Sequence, residues 1–259
     1  MRAATLATLA LSGALALAGC GTAAAPSGAG PSVGDTVALE EVARTSADAA
    51  ARAGTAHVTA EVDGAVVADG DLDHSAEDPR AAMTLTRDGV SLEVVRVGRS
   101  VYLGGDAVAR FSGGDPWVEV STDGDDPASR MLGTVLERLR TDDDPARRGD
   151  VLAGATATVT AVEDGATTYE ATLTREQVLA AAGEAGGALG ALGGDPGAKV
   201  PPEGVTAAVT VDAEGRPVTL TSELDGRALQ VRWSAWGLPV DIAAPPADQV
   251  GTVRFPSLG

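Results

Sequence analysis

The sequence predicts an α+β fold: a large antiparallel sheet with helices packed on one face. Three observations carry this. Short runs alternate apolar and polar residues with a period of two, and turn pairs such as Asp63-Gly64 and Asp88-Gly89 separate them. Three stretches change to the three- and four-residue spacing of amphipathic helices. No long linker separates the two halves of the stretch from residue 36 onward, so it is expected to form one domain, of about ten strands and three helices, rather than two.

The chain opens with Met1-Arg2 and an apolar run, Leu6 to Ala18, closed by Leu17-Ala18-Gly19-Cys20. A brief charged start, a short apolar stretch and small residues at the cut make a secretory signal. The run falls short of the ~20 residues that span a bilayer. Residues 21–35 are small, polar and broken by Pro26 and Pro31, which reads as a flexible linker.

Thr36 to Ala53 reads as the first helix. Leu39, Val42, Ala43, Ser46, Ala49, Ala50 and Ala53 share one face, Glu40 and Glu41 sit in early turns, and Gly54 ends it. Alternation then marks strands around Val58, Met83 and Leu85, Val90 to Val94, Val101 to Leu103, and Val118 to Val120. Asp126-Pro127 opens a second helix whose apolar stripe is Met131, Leu132, Val135, Leu136 and Leu139. Strands resume at Thr156–Val162 and Thr167–Leu173, and Thr174-Arg175-Glu176-Gln177 is a capping box for a third helix containing Val178. Gly183 to Gly197, rich in glycine and alanine, reads as a mobile loop. A last meander carries Val205 to Val211, Val218, Leu220 and Leu224, then Leu229, Val231 and Trp233.

Composition limits the function. The chain has 19 basic and 37 acidic residues, a formal charge of −18; removal of residues 1–19 takes away Arg2 and leaves −19. Such a surface repels nucleic acid and an anionic leaflet alike. One cysteine, Cys20, excludes a disulfide within the chain. Aromatic residues make up 3%, so the interior must be built from Val, Leu, Ala and a little Met.

Enzymatic chemistry finds little material. There is no Gly-x-Ser-x-Gly elbow. The two histidines are His57, on the polar side of its strand and so expected to be solvated, and His74. Asp69, Asp71 and Asp73 have the spacing that opens a calcium loop, but His74 stands where glycine is required and Arg80 where glutamate is required. Asp123, Asp125 and Asp126, like Asp142 to Asp144, read as solvated loop charge. No enzyme, no cofactor and no metal site is expected.

Leu17-Ala18-Gly19-Cys20 resembles the bacterial lipobox, in which the thiol is acylated and the chain is cut before it. The order of further motifs is similar to the LppX/LprAFG family of actinobacterial lipoproteins, whose fold is like that of the LolA and LolB carriers. The matching patterns are Val101-Tyr102-Leu103 before Trp117-Val118, the run Asp164 to Leu173 around Tyr169, Val231 to Val240 with Trp233 and Trp236, and the closing Pro245-Pro246. They span nearly all of residues 36–250. Where the family often has glycine after the tyrosine, this chain has Glu170.

The resemblance implies three regions: a signal peptide, 1–19; an acylated Cys20 with its linker, 20–35; and a lipid-binding domain, 36–259. It implies a strongly curved antiparallel β half-barrel with helices packed on its concave face and a cavity for acyl chains. The candidate cavity residues are Val58, Met83, Leu85, Leu92, Val94, Met131, Leu132, Val135, Leu136, Leu139, Val178, Leu220, Val231 and Trp233. Periodicity by itself fits an ordinary core as well as a cavity wall for the 131–139 stripe. The expected protein is a monomer held on the extracytoplasmic face of the cell membrane through Cys20. It binds an acylated lipid, lipoglycan or phospholipid, and carries or presents it in the envelope. The alternative is a binding or sensor module that uses the same scaffold for a protein partner.

Overall fold

Three Asp-Gly pairs set the first level of structure. Asp63, Asp88 and Asp164 have positive φ, as do Gly64, Gly89 and Gly165 after them. Two consecutive left-handed residues make the tight turn whose twist matches an antiparallel hairpin, and aspartate and glycine tolerate that backbone. Each pair therefore closes a hairpin: β2 (Thr55–Val62) to β3 (Ala65–Asp73), β4 (Arg80–Arg87) to β5 (Val90–Val97), and β8 (Thr156–Glu163) to β9 (Ala166–Leu173).

The structure is a computed structural model and describes residues 30–74, 80–106, 108, 112–121, 129, 152–178, 200–224 and 226–251. Every element named below lies in the unit Pro31–Gly259. The other described strands are β1 (Thr36–Ala38), β6 (Ser100–Gly104), β7 (Trp117–Ser121), β10 (Val205–Val211), β11 (Pro217–Leu224), β12 (Arg227–Ser234) and β13 (Val250–Gly251). All belong to one 13-stranded sheet, ordered β1-β8-β9-β10-β11-β12-β2-β3-β4-β5-β6-β7-β13. It is mixed, because β13 runs parallel to β7, and it is open, with β1 and β13 at its ends. The two meanders join edge to edge through β12 and β2.

Helix α1 (Leu39–Ala53) starts three residues later than its periodicity suggests. Thr36, Val37 and Ala38 pair with Thr158, Ala157 and Thr156 as β1, an outcome that favours β-branched residues over one more helical turn. The predicted face is the one turned inward, with Leu39 and Ala49 buried. Gly54, at φ 84°, ends the helix, its N–H donating to the Ala50 carbonyl. Leu39, at the start of α1, packs with Ala155, Ala157 and Ala171, joined by Val37, Leu152, Tyr169 and Leu173.

The acidic stretch at Asp69 to Asp73 is the second half of strand β3. The described strands also outnumber the ten expected, because β1, β3 and β13 lack clean alternation in the sequence. The third helix begins as predicted: the Gln177 N–H donates to Thr174 Oγ1 (3.2 Å) and the Thr174 N–H to Gln177 Oε1 (2.9 Å), the reciprocal bonds of a capping box. The second is described only at Ser129, which is helical and buried and whose hydroxyl accepts from the Ser121 N–H.

Candidate functional site

Directly opposed residues of neighbouring strands point to the same side of a sheet. Register therefore shows which of the candidate residues share a face. Val58 opposes Trp233 on one side and Gly70 on the other; Gly70 opposes Met83, and Met83 opposes Val94. The next row runs Leu220, Val231, Ala60, Ala68, Leu85 and Leu92. Eight of the candidates, Val58, Met83, Leu85, Leu92, Val94, Leu220, Val231 and Trp233, thus stand on one face across β11, β12, β2, β3, β4 and β5.

Burial varies along that face. Toward the ends of the sheet it is sealed: Val118 and Val120 on β7, and Ala157 and Val159 on β8, are each 1% exposed. In the middle strands Met83, Leu85, Leu92, Val94, Leu220, Val231 and Trp233 are all half-buried. Val58 is buried. Sequence reasoning left Leu103, Val118, Val120 and Tyr169 off the candidate set, although the same alternation placed them. Leu103 and Val118 extend the Val58 row beyond Val94, and Tyr169 opposes Val159 and Val209. Burial pushes the Tyr169 phenol up from its ordinary pKa.

Gly70 makes a notch in the middle of the row. A Cβ there would meet the Ala82 carbonyl oxygen and come within 2.9 Å of Met83 Sδ, so the methionine lies across the glycine. Val178 is half-buried in the first turn after the capping box. Met131, Leu132, Val135, Leu136 and Leu139 lie outside the described residues, as does Cys20. The other tryptophans are placed differently. Trp117 opposes Gly104 and its ring occupies the space a side chain would fill there. Trp236 Nε1 donates to the Pro217 carbonyl at 3.1 Å.

The opposite face is polar. Thr168 pairs with Thr210 (2.9 Å) and Thr172 with Thr206 (3.0 Å) through their hydroxyls. His57 stands on this face as predicted, but it is held rather than simply solvated. Its Nδ1 lies 2.9 Å from Asp71 Oδ1 and its Nε2 lies 3.2 Å from Asp69 Oδ2, which also accepts from Thr59 Oγ1 at 3.0 Å. The hydrogen bond to Asp71, with the charge of both carboxylates, raises the His57 pKa above 6.5 against a smaller effect of burial. Both ring nitrogens are engaged by carboxylates, and among the described residues no group of three or more His, Cys, Asp or Glu side chains is arranged to hold a metal.

The described strands make a broad, open, mostly antiparallel sheet with one apolar and one polar face. Among solved structures, the chain is similar in fold to the Mycobacterium tuberculosis lipoprotein LppX, at 19% identity and a TM-score of 0.49, over 80% of this chain and 98% of that one. It is similar also to LprF from Mycobacterium bovis, at 16% identity and a TM-score of 0.47, over 80% and 96%. No family model and no curated protein matches the chain. Among the described residues, no helix is long and apolar enough to cross a membrane.

Proposed function

We propose that this protein is an envelope lipoprotein, anchored through an acylated Cys20, that binds the acyl chains of a lipid or lipoglycan and carries or presents it. The observation that carries the reading is the half-buried apolar face shared by Val58, Met83, Leu85, Leu92, Val94, Leu220, Val231 and Trp233. Acyl chains suit such a surface because aliphatic contact contributes roughly 25 cal/mol per Å² removed from water and demands no directional partner. Curvature of the sheet into a half-barrel would give this face the concavity that encloses acyl chains. The diacylglycerol on Cys20 supplies the two chains that stable anchoring needs, so the sheet is left free to hold cargo.

The test is the mature chain, residues 20–259 without the signal and carrying Cys20→Ser, expressed in an actinobacterial host, purified without detergent and weighed by native mass spectrometry. A stoichiometric acylated ligand, identified after extraction, is the expected result. An apo mass with no uptake of offered phospholipid overturns the carrier reading and favours a protein-binding module.

A further inference from the structure

Charge is segregated between the two faces of the sheet. Every Asp and Glu in the described strands stands on the polar face: Glu61, Asp69 and Asp71 lie there by register, as do Glu93, Glu119, Glu170 and the rest. The apolar face has no carboxylate on any described strand, yet it has three arginines, Arg87, Arg96 and Arg227. In a chain of net charge −18, this is the reverse of the overall balance.

The three arginines are not equivalent. Arg227 is 61% exposed and donates to Asp63 Oδ2 at 2.8 Å, and Arg87 is 66% exposed beside Asp88 in its own turn. Both flank hairpin turns at one end of the sheet. Arg96 lies toward the other end, near the close of β5, and is half-buried. Its direct neighbours on the face are Ala81 and Val101, and the row continues to Leu72 on one side and Val120 on the other. Next along β5 on the same face come Val94 and Leu92, about 7 Å per step.

Burying a guanidinium among aliphatic side chains is costly unless anions accompany it. Arg96 already has an interaction within the chain, and its planar fork carries five N–H donors, more than a single partner uses. The fork matches a carboxylate or a phosphate in two parallel hydrogen bonds. The surrounding negative charge disfavours free anions, so an anion reaches Arg96 best when apolar chains carry it there.

We infer that the ligand has an anionic headgroup, phosphate or carboxylate, which Arg96 binds at one end of the apolar face while the acyl chains run past Val94 and Leu92. This rests on the reading of that face as the acyl-chain site. Two lipids sharing the same chains separate the two ideas: phosphatidylglycerol, which is anionic, and diacylglycerol, which is neutral. Affinities of the mature chain, residues 20–259 without the signal and carrying Cys20→Ser, are measured by displacement of a fluorescent fatty-acyl probe. The expected result is a preference for phosphatidylglycerol of about tenfold or more, falling to near parity in Arg96→Gln and only partly restored in Arg96→Lys, which keeps the charge but not the fork. Diacylglycerol affinity is expected to stay within about twofold in both variants, which a merely unfolded protein would not show. Glycerol 3-phosphate, which has the head without chains, is expected not to compete, and competition equal to that of the lipid would overturn the acylated ligand. Equal wild-type affinity for the two lipids, or a preference that survives in Arg96→Gln, overturns the role of Arg96 and leaves the acyl-chain site standing. Failure to bind either lipid overturns both.

Discussion

His57 joins β2 to β3 through two carboxylates, and its raised pKa gives the fold a pH dependence with a definite sign. The folded protein binds this proton more tightly than the unfolded chain does. The stabilisation is therefore complete below the ordinary histidine value of 6.5 and disappears as pH rises through the elevated folded value. His57→Gln is expected to lower stability at pH 5.5 by about 0.2–1 kcal/mol, the scale of half-exposed ion pairs, and to converge on the wild type at pH 9. Parallel denaturation curves at both pH values check this; a loss as large at pH 9 would contradict it. Alternation in the sequence placed His57 on the polar face. It could not show the two aspartates, because β3 was not recognised as the strand opposite. Gly70 was missed for the same reason. With a Cβ directed at the Ala82 carbonyl oxygen and Met83 Sδ, Gly70→Ala is expected to cost about 1–3 kcal/mol. A fall in Tm of several degrees is the corresponding observation, and an unchanged Tm would show that the notch is not needed.

At the scale of elements, local chemistry was legible wherever a short motif has one structural meaning. The three Asp-Gly turns, the capping box at Thr174 and Gln177, and the apolar side of α1 all stand where the sequence puts them. Strands lacking such a motif were not. β3 reads Ala-Val-Val-Ala-Asp-Gly-Asp-Leu-Asp, poor in strand formers over its second half, and holds its place through cross-strand partners rather than propensity. β1 was absorbed into the helix that follows it, because Val37 fits either period. Loss of the capping hydroxyl in Thr174→Ala is expected to cost about 0.5–2 kcal/mol. Amide exchange should then quicken at Gln177 and Val178, whose N–H groups donate to Thr174 Oγ1 and to the Thr174 carbonyl. Unchanged protection at these two amides would contradict the cap.

For the whole molecule, the informative feature is the junction of β12 with β2. Trp233 opposes Val58 and Val231 opposes Ala60, so residues more than 170 positions apart make one apolar surface. Alternation tells which side of a strand is apolar but not which strands meet, so the candidate set was legible as separate patches and not as a face. The second helix stripe, 131–139, lies outside the described residues, and register has nothing to say of it. Trp233 offers the direct probe, since it stands on the apolar face while Trp117 stands on the other. The decisive measurement is quenching of tryptophan fluorescence by phosphatidylglycerol with brominated acyl chains. The account predicts strong quenching in the wild type and in Trp117→Phe, and its loss in Trp233→Phe. Lipid binding with Trp233 unquenched would place the chains elsewhere and contradict the account.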